Sequence, residues 1–205
     1  MATKWGAFGN RVSSKGPIRS DRIGFMLEEP SARAMLEGLL PRIGINLPTV
    51  RYVVFEGKQD LEKQVAKRIR GYRNPNARFI VIRDQDSRND CRALKARLLD
   101  LCGDAAGNRA LLARIFCREL EAVYIGDLSA VEAALDITGL AKRQNGRRFR
   151  TPDMLMTPSK ELKTLTKGAY QKISGSRAIG LLLDVENTRS DSFKVLVSGI
   201  RHICG

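Results

Sequence analysis

The sequence predicts an α/β protein: a parallel sheet flanked by helices, followed by a helical and looped extension. Apolar runs alternate with segments of helical periodicity between residues 23 and 135. Their cadence of roughly 30 residues per unit is the length of a βαβ crossover. One run, Phe79-Ile80-Val81-Ile82, is apolar at every position, as expected of a strand covered on both faces.

Residues 1–20 hold Lys4, Arg11, Lys15 and Arg19, several Gly and Ser and no acid, and read as a mobile basic arm. Ile23-Gly24-Phe25-Met26-Leu27 is the first strand. Pro30-Ser31 then opens a helix to about Leu40, with Met35, Leu36, Leu39 and Leu40 on its apolar face. Tyr52-Val53-Val54-Phe55 is the second strand. Asp60 to Arg70 is the second helix, with Leu61, Val65 and Ile69 at helical spacing. The third strand, Phe79 to Ile82, precedes a helix from Arg92 to Leu101. Leu112 to Phe116 is a candidate fourth strand, and Leu120 to Leu135 reads as one helix. From about Asp136 the pattern changes to a basic loop, scattered Pro and Gly, and two shorter helices near Ala178–Leu183 and Ser192–Ile203. The organisation is an arm (1–20) and one domain (21–205), with a core over about 21–135 and an extension over about 136–205 packed beside the sheet.

The 205 residues carry 36 Lys and Arg against 22 Asp and Glu, a net charge of +14. Such a surplus attracts polyanions, and nucleic acid is the commonest of these. Cys91, Cys102, Cys117 and Cys204 show no C-x-x-C spacing, and His202 is the only histidine. That argues against a zinc site and against Ser-His or Cys-His nucleophilic catalysis. Four scattered cysteines fit buried thiols in a reducing cytoplasm. No apolar run is long enough to span a membrane, and no signal-type segment follows the start. No G-x-x-x-x-G-K-[ST] stretch occurs, so any ATP dependence has to come from a partner. Nothing in the sequence excludes a homo-oligomer.

In open α/β sheets, ligands bind beyond the carboxyl ends of the strands. Those ends are acidic here. Glu28 and Glu29 follow the first strand, Glu56 the second, Asp84 and Asp86 the third, and Glu119 and Glu121 the fourth. Carboxylates gathered at one edge repel unless a cation sits among them. Oxygen donors with no His or Cys beside them favour Mg²⁺ or Mn²⁺. Asp84-Gln85-Asp86 is the sharpest motif, a D-x-D that places two carboxylates just past a buried strand. The same residues would also serve as turn or cap residues before the next helix.

A glutamate after strand one and a D-x-D after strand three resemble the Toprim domain of primases, topoisomerases and overcoming-lysogenization-defect nucleases. More closely, Leu27-Glu28-Glu29-Pro30-Ser31, Glu56-Gly57-Lys58-Gln59-Asp60-Leu61-Glu62-Lys63, Arg83-Asp84-Gln85-Asp86-Ser87 and Cys117-Arg118-Glu119-Leu120-Glu121 are similar to an uncharacterised Toprim-like family. Gly126-Asp127 and Tyr170-Gln171-Lys172 belong to the same resemblance, which spans about residues 22–202. It implies a Toprim-like Rossmannoid sheet and a Mg²⁺-dependent nuclease, with Mn²⁺ as a substitute. Asp84 and Asp86 would hold the metal, and Glu28 would bind it or act as general base. Glu119, Glu121 and Asp127 would complete a second metal site, and Lys172 would stabilise developing charge. Members are typically encoded beside ABC-type ATPases, and some related pairs act in phage defence, which implies an ATPase partner. The chain departs from the pattern twice. Glu29 follows Glu28 where the Toprim signature has Gly, and Phe55 stands where many members carry His.

Lys142, Arg143, Arg147, Arg148 and Arg150 lie within nine residues around Asn145-Gly146. Such a loop either tracks a phosphate backbone or remains a solvated charge run. Gly168 to Arg177 leads into a helix whose amide groups, with Lys172 and Arg177, would hold a phosphate. A non-catalytic nucleic-acid-binding or adaptor subunit is the second reading. A phosphatase of the haloacid-dehalogenase type is the third, although its D-x-D-x-T motif follows a first strand rather than a third.

Overall fold

The computed structural model describes residues 22–87, 90–187 and 189–204. The basic arm expected over residues 1–20 lies outside them. Four strands, β1 (Ile23–Leu27), β2 (Val50–Val54), β3 (Arg78–Asp84) and β4 (Leu111–Phe116), form an all-parallel sheet in the order β2-β1-β3-β4. The α/β architecture read from the sequence is therefore the one observed. Side chains alternate across the sheet as a pleat requires. Phe25, Leu27, Ile80 and Ile82 enter one core, and Met26, Phe79, Val81 and Ala113 enter the other. Both cores demand apolar residues, which is why β1 and β3 read as continuous runs.

Helices α2 (Lys58–Arg70) and α3 (Cys91–Ala106) cover the second core. Leu61, Val65 and Ile69 sit one turn apart on α2 and face Leu94 and Leu98 of α3, while the outer face of α2 carries Lys and Arg. The first core is closed by α1 (Pro30–Arg42), α4 (Glu121–Ile125), α5 (Leu128–Ala134), α6 (Pro158–Leu165), α7 (Lys172–Gly180) and α8 (Asp191–Cys204). Residues beyond Asp136 therefore complete a face of the sheet: Leu162, Ile179, Phe193 and Leu196 join the same cluster as Phe25 and Leu36.

Three elements differ from expectation. The helix expected over Leu120–Leu135 is two, α4 and α5, broken at Gly126-Asp127 because the Asp127 carboxylate caps α5 by accepting from the Ala130 amide at 3.1 Å. Helix α6 has no counterpart in the sequence reading; Pro158 opens it, and Leu162 and Leu165 are its buried residues. Helix α7 begins at Lys172, not near Ala178, and ends at Gly180. Ser174-Gly175-Ser176 looks like a loop in sequence, but the space beside Gly175 is filled by Tyr170. A Cβ at Gly175 would sit 2.6 Å from the Tyr170 ring. Packing overrides helix propensity there.

The chain steps from β1 outward to β2, then crosses back past β1 to β3. The reversal leaves a crevice between the carboxyl ends of β1 and β3. The four cysteines are free thiols, of which only Cys102 is fully buried. No helix among the described residues is long and apolar enough to cross a membrane.

Candidate active site

Glu28 leaves β1 where Asp84 ends β3, and the two strands run in register with Leu27 opposite Ile82. The Asp84 amide donates to Glu28 Oε2 at 3.1 Å, tying the two residues across the crevice. Glu29, at the N-cap of α1, accepts from Ser31 Oγ at 3.1 Å and pairs with Lys172 Nζ at 2.6 Å. Lys172 is the first residue of α7. Glu121, the first residue of α4, is 1% exposed and accepts from Tyr170 Oη at 3.0 Å. Tyr170 Oη in turn lies 3.2 Å from Ser176 Oγ. Two loops and the starts of three helices thus converge on one crevice.

Charge in the crevice is unbalanced. Burial, then the charges of Glu121, Glu29 and Glu28, push the Asp84 carboxyl well above the ordinary carboxylate range, with Lys172 opposing them. Burial also raises Glu121 against the pull of Lys172 and the Tyr170 hydroxyl. Glu28 is raised by burial, against Arg83 and the Asp84 amide. At Lys172 desolvation acts to lower the ammonium's pKa. The hydrogen bond and charge of Glu29, with Glu121 and Asp84 behind them, more than offset it and leave the pKa raised.

The neighbouring position on β3 faces the other way. Arg83 is 1% exposed and points to the α2 side, where Nη1 donates to Glu62 Oε1 at 2.6 Å and Nε lies 3.6 Å from Glu28 Oε2. Glu62 Oε2 takes Arg97 at 2.6 Å. Arg83 Nη2 has no hydrogen-bond partner among the described residues and lies 3.6 Å from Asp86 Oδ2. The same Asp86 oxygen holds Lys58 Nζ at 3.0 Å. Asp86 takes a left-handed φ of 56° opposite Arg118 at 63°, and the Asp86 amide donates to the Arg118 carbonyl at 2.8 Å. This turn carries the Asp86 carboxylate to Lys58 and Arg83, from where its charge adds to the forces raising Glu28.

Two other expected ligands have structural partners. Asp127, 4% exposed, caps α5, accepts from Ser129 Oγ at 2.6 Å and from the Asp184 amide at 2.8 Å. Both of its oxygens accept from these local donors. Glu119 Oε2 accepts from the Ser159 amide at 2.7 Å in the first turn of α6. It reaches the crevice only through its charge on Glu121. Lys142, Arg143, Arg147, Arg148 and Arg150 are all exposed on a loop pinned from below by buried Gln144, whose side chain donates to the Ile125 and Phe149 carbonyls and accepts from the Leu128 amide. Arg148 pairs with Glu161 of α6 at 2.5 Å, which ties this loop to the helix that Glu119 caps. Arg177 is exposed on α7, 4.0 Å from Glu37.

A family model matches residues 27–201, from the residue before Glu28 to the last turn of α8, and so encloses Glu28, Glu29, Asp84, Glu121 and Lys172. The chain belongs to the family described as Domain of unknown function (DUF4276). Searches of the curated proteins and of the solved structures returned no match.

In this DUF4276 chain no three His, Cys, Asp or Glu side chains among the described residues stand close enough together to hold a metal ion. The donor chemistry nonetheless suits a hard divalent cation. Glu28, Glu29, Asp84 and Glu121 offer carboxylate oxygen alone, and Asp84 meets three like charges for the one of Lys172. Sequence reasoning left Glu29, Arg83, Lys58 and Glu62 out of the site. Strand alternation was the available signal for Arg83, since the neighbour of an inward Asp84 must face the opposite helix layer. Lys58 carries no such signal, because its partner is 28 positions away in the chain.

Proposed function

We propose that this chain is a Mg²⁺-dependent nuclease, with Mn²⁺ as a substitute, that hydrolyses phosphodiester bonds of nucleic acid. One observation carries the reading: Glu28, Glu29, Asp84, Glu121 and Lys172 meet at the strand-order reversal of a chain with a net charge of +14. Asp84 and Glu121 would hold the metal, which supplies polarisation of a phosphate oxygen and a more acidic water when bound. The rest is done by the chain's own groups. Glu28, its carboxyl raised by burial, is the base that takes a proton from water, a task for which a pKa nearer neutrality is favourable. Lys172 Nζ leaves Glu29 for a non-bridging phosphate oxygen and offsets the charge that develops there. Tyr170 fixes the direction of Glu121. The exposed loop of Lys142, Arg143, Arg147, Arg148 and Arg150, with Arg177, binds the substrate backbone. By the Toprim resemblance, the nuclease acts in the cytoplasm as the effector of an ABC-type ATPase in phage defence.

The second reading is a non-catalytic nucleic-acid-binding subunit of such an ATPase. The engagement of Asp86 with Lys58 and Arg83 favours it. The deciding experiment incubates purified protein with labelled DNA and RNA in Mg²⁺, Mn²⁺ or EDTA, with and without the ATPase, beside Asp84→Asn. Metal-dependent cutting that Asp84→Asn lowers by at least about 100-fold, the scale of a lost catalytic group, is the expected result. Binding without cutting under every condition moves the assignment to the adaptor.

A further inference from the structure

A cavity of about 640 Å³ opens at the β2 edge of the sheet, and none of the crevice carboxylates lines it. Its walls are Arg33 of α1, Arg51 and Tyr52 of β2, and Tyr72, Arg73 and Asn74 after α2. A second cavity of about 270 Å³ adjoins it through Arg51 and Tyr72 and adds Lys67 and Arg68 of α2. Five cationic side chains, all of exposed residues, therefore border two adjoining cavities, and among the described residues no Asp or Glu lines either.

The groove has aromatic walls beneath its charges. The Arg33 guanidinium lies 5.4 Å from the Tyr52 ring centre, and that of Arg51 lies 5.5 Å from Tyr72. Arg33 is also paired with Glu37 at 2.8 Å, whereas Arg73 makes no ion pair among the described residues. Tyr52 Oη is buried and has no hydrogen-bond partner among the described residues. Burial, then Glu37, raise the pKa of that phenol, so it stays neutral beneath the groove.

From this juxtaposition we infer that the β2-edge groove binds the phosphodiester backbone of a nucleic-acid strand, as a binding surface separate from the carboxylate crevice. The inference rests on the preceding reading only for the class of polyanion. Cations spaced along two joined cavities match a series of phosphates rather than one. Guanidiniums resting on aromatic rings are presented flat and partly dehydrated, a good arrangement for phosphate oxygens. A free mononucleotide offers the same phosphate chemistry and is separated by the test. Positive charge on an edge strand also blocks strand addition from another chain, and charge reversal discriminates, because a glutamate blocks the edge equally well but repels phosphate.

The test is fluorescence anisotropy of a labelled oligonucleotide, in EDTA so that no cutting intervenes, with the wild type, Arg51→Glu/Arg73→Glu and the milder Arg51→Gln/Arg73→Gln. Affinity is expected to fall at least about tenfold in the charge-reversed protein, and less in the glutamine variant. The slope of log K against log salt should become shallower by about one for each phosphate that the variant no longer neutralises. Thermal melts establish that each variant is folded, and the glutamine variant gives the reading if the glutamate variant is not. Unchanged affinity in a folded variant overturns the inference. Displacement of the strand by micromolar mononucleotide overturns the assignment to a backbone. Because binding is read without metal, a groove that passes while no substrate is ever cut removes the nuclease and keeps the groove. Cutting by the wild type with unaltered binding in the variants does the reverse.

Discussion

Asp84, Glu121 and Glu28 each hold a proton more tightly in the folded chain than an ordinary carboxyl does, with burial the leading cause at all three. Between about pH 4 and these raised values, the folded state binds more protons than the unfolded state. Their contribution to stability is therefore full below about pH 4 and lost as pH rises through the folded values. Asp84→Asn cannot ionise, so it should melt higher than the wild type at about pH 7.5 and lose less stability between about pH 5 and 8. Each kcal/mol recovered is worth about 2–4 °C in a chain of this size. Melts of both proteins across that range check it, and parallel declines would refute it. The same melts with Mg²⁺ report binding without activity: the wild type should gain stability, and Asp84→Asn should not. The placement of Glu28, Asp84 and Glu121 beyond strand ends was legible in the sequence, because each follows an apolar run; the catalytic role of Lys172 was named only through the Toprim resemblance. The partners of Asp86 and Asp127 were not legible, because Lys58, Arg118 and Asp184 reach them from distant parts of the chain.

At the scale of elements, the site depends on how closely α1 and α7 approach. A Cβ at Gly38 would lie 2.7 Å from the Gly180 carbonyl carbon, and one at Gly180 would strike the backbone of Met35. The two glycines let the helix backbones touch, and that approach holds Lys172, at the head of α7, against Glu29 at the head of α1. Gly180→Ala should destabilise the chain by about 1–3 kcal/mol, the usual cost of overpacking. If the account is right, its effect on cutting at a temperature where the protein is folded should also exceed that of Leu181→Ala, at an exposed neighbour. Equal effects would separate helix packing from the site. The bounds of β1 were readable to the residue, and β3 and β4 to within two at either end, because burial makes β1 and the middle of β3 apolar runs and leaves β4 broken only at Arg114. Helices α6 and α7 were not. One is short and begins at Pro158, and the other begins through Ser174-Gly175-Ser176, so each is held by the core it covers rather than by its own propensity.

For the whole molecule the governing quantity is charge. A surplus of +14 should make binding to any nucleic acid strongly salt-dependent. Affinity in EDTA is expected to fall by at least about tenfold between ~50 and ~200 mM salt, and Asp84→Asn should follow the same line, since its change is local. A flat response would show that the surplus does not meet phosphates. The crevice joins residues far apart in the chain: Glu28 and Asp84 belong to the first half, and Lys172 follows Glu28 by on the order of 140 residues, or roughly 7–30 s of synthesis at ordinary elongation rates. During that interval the nascent chain already carries its acidic strand ends but not the ammonium that sits among them. The site is thus timed as well as placed: it comes into being only after the segment that carries Lys172 has been made.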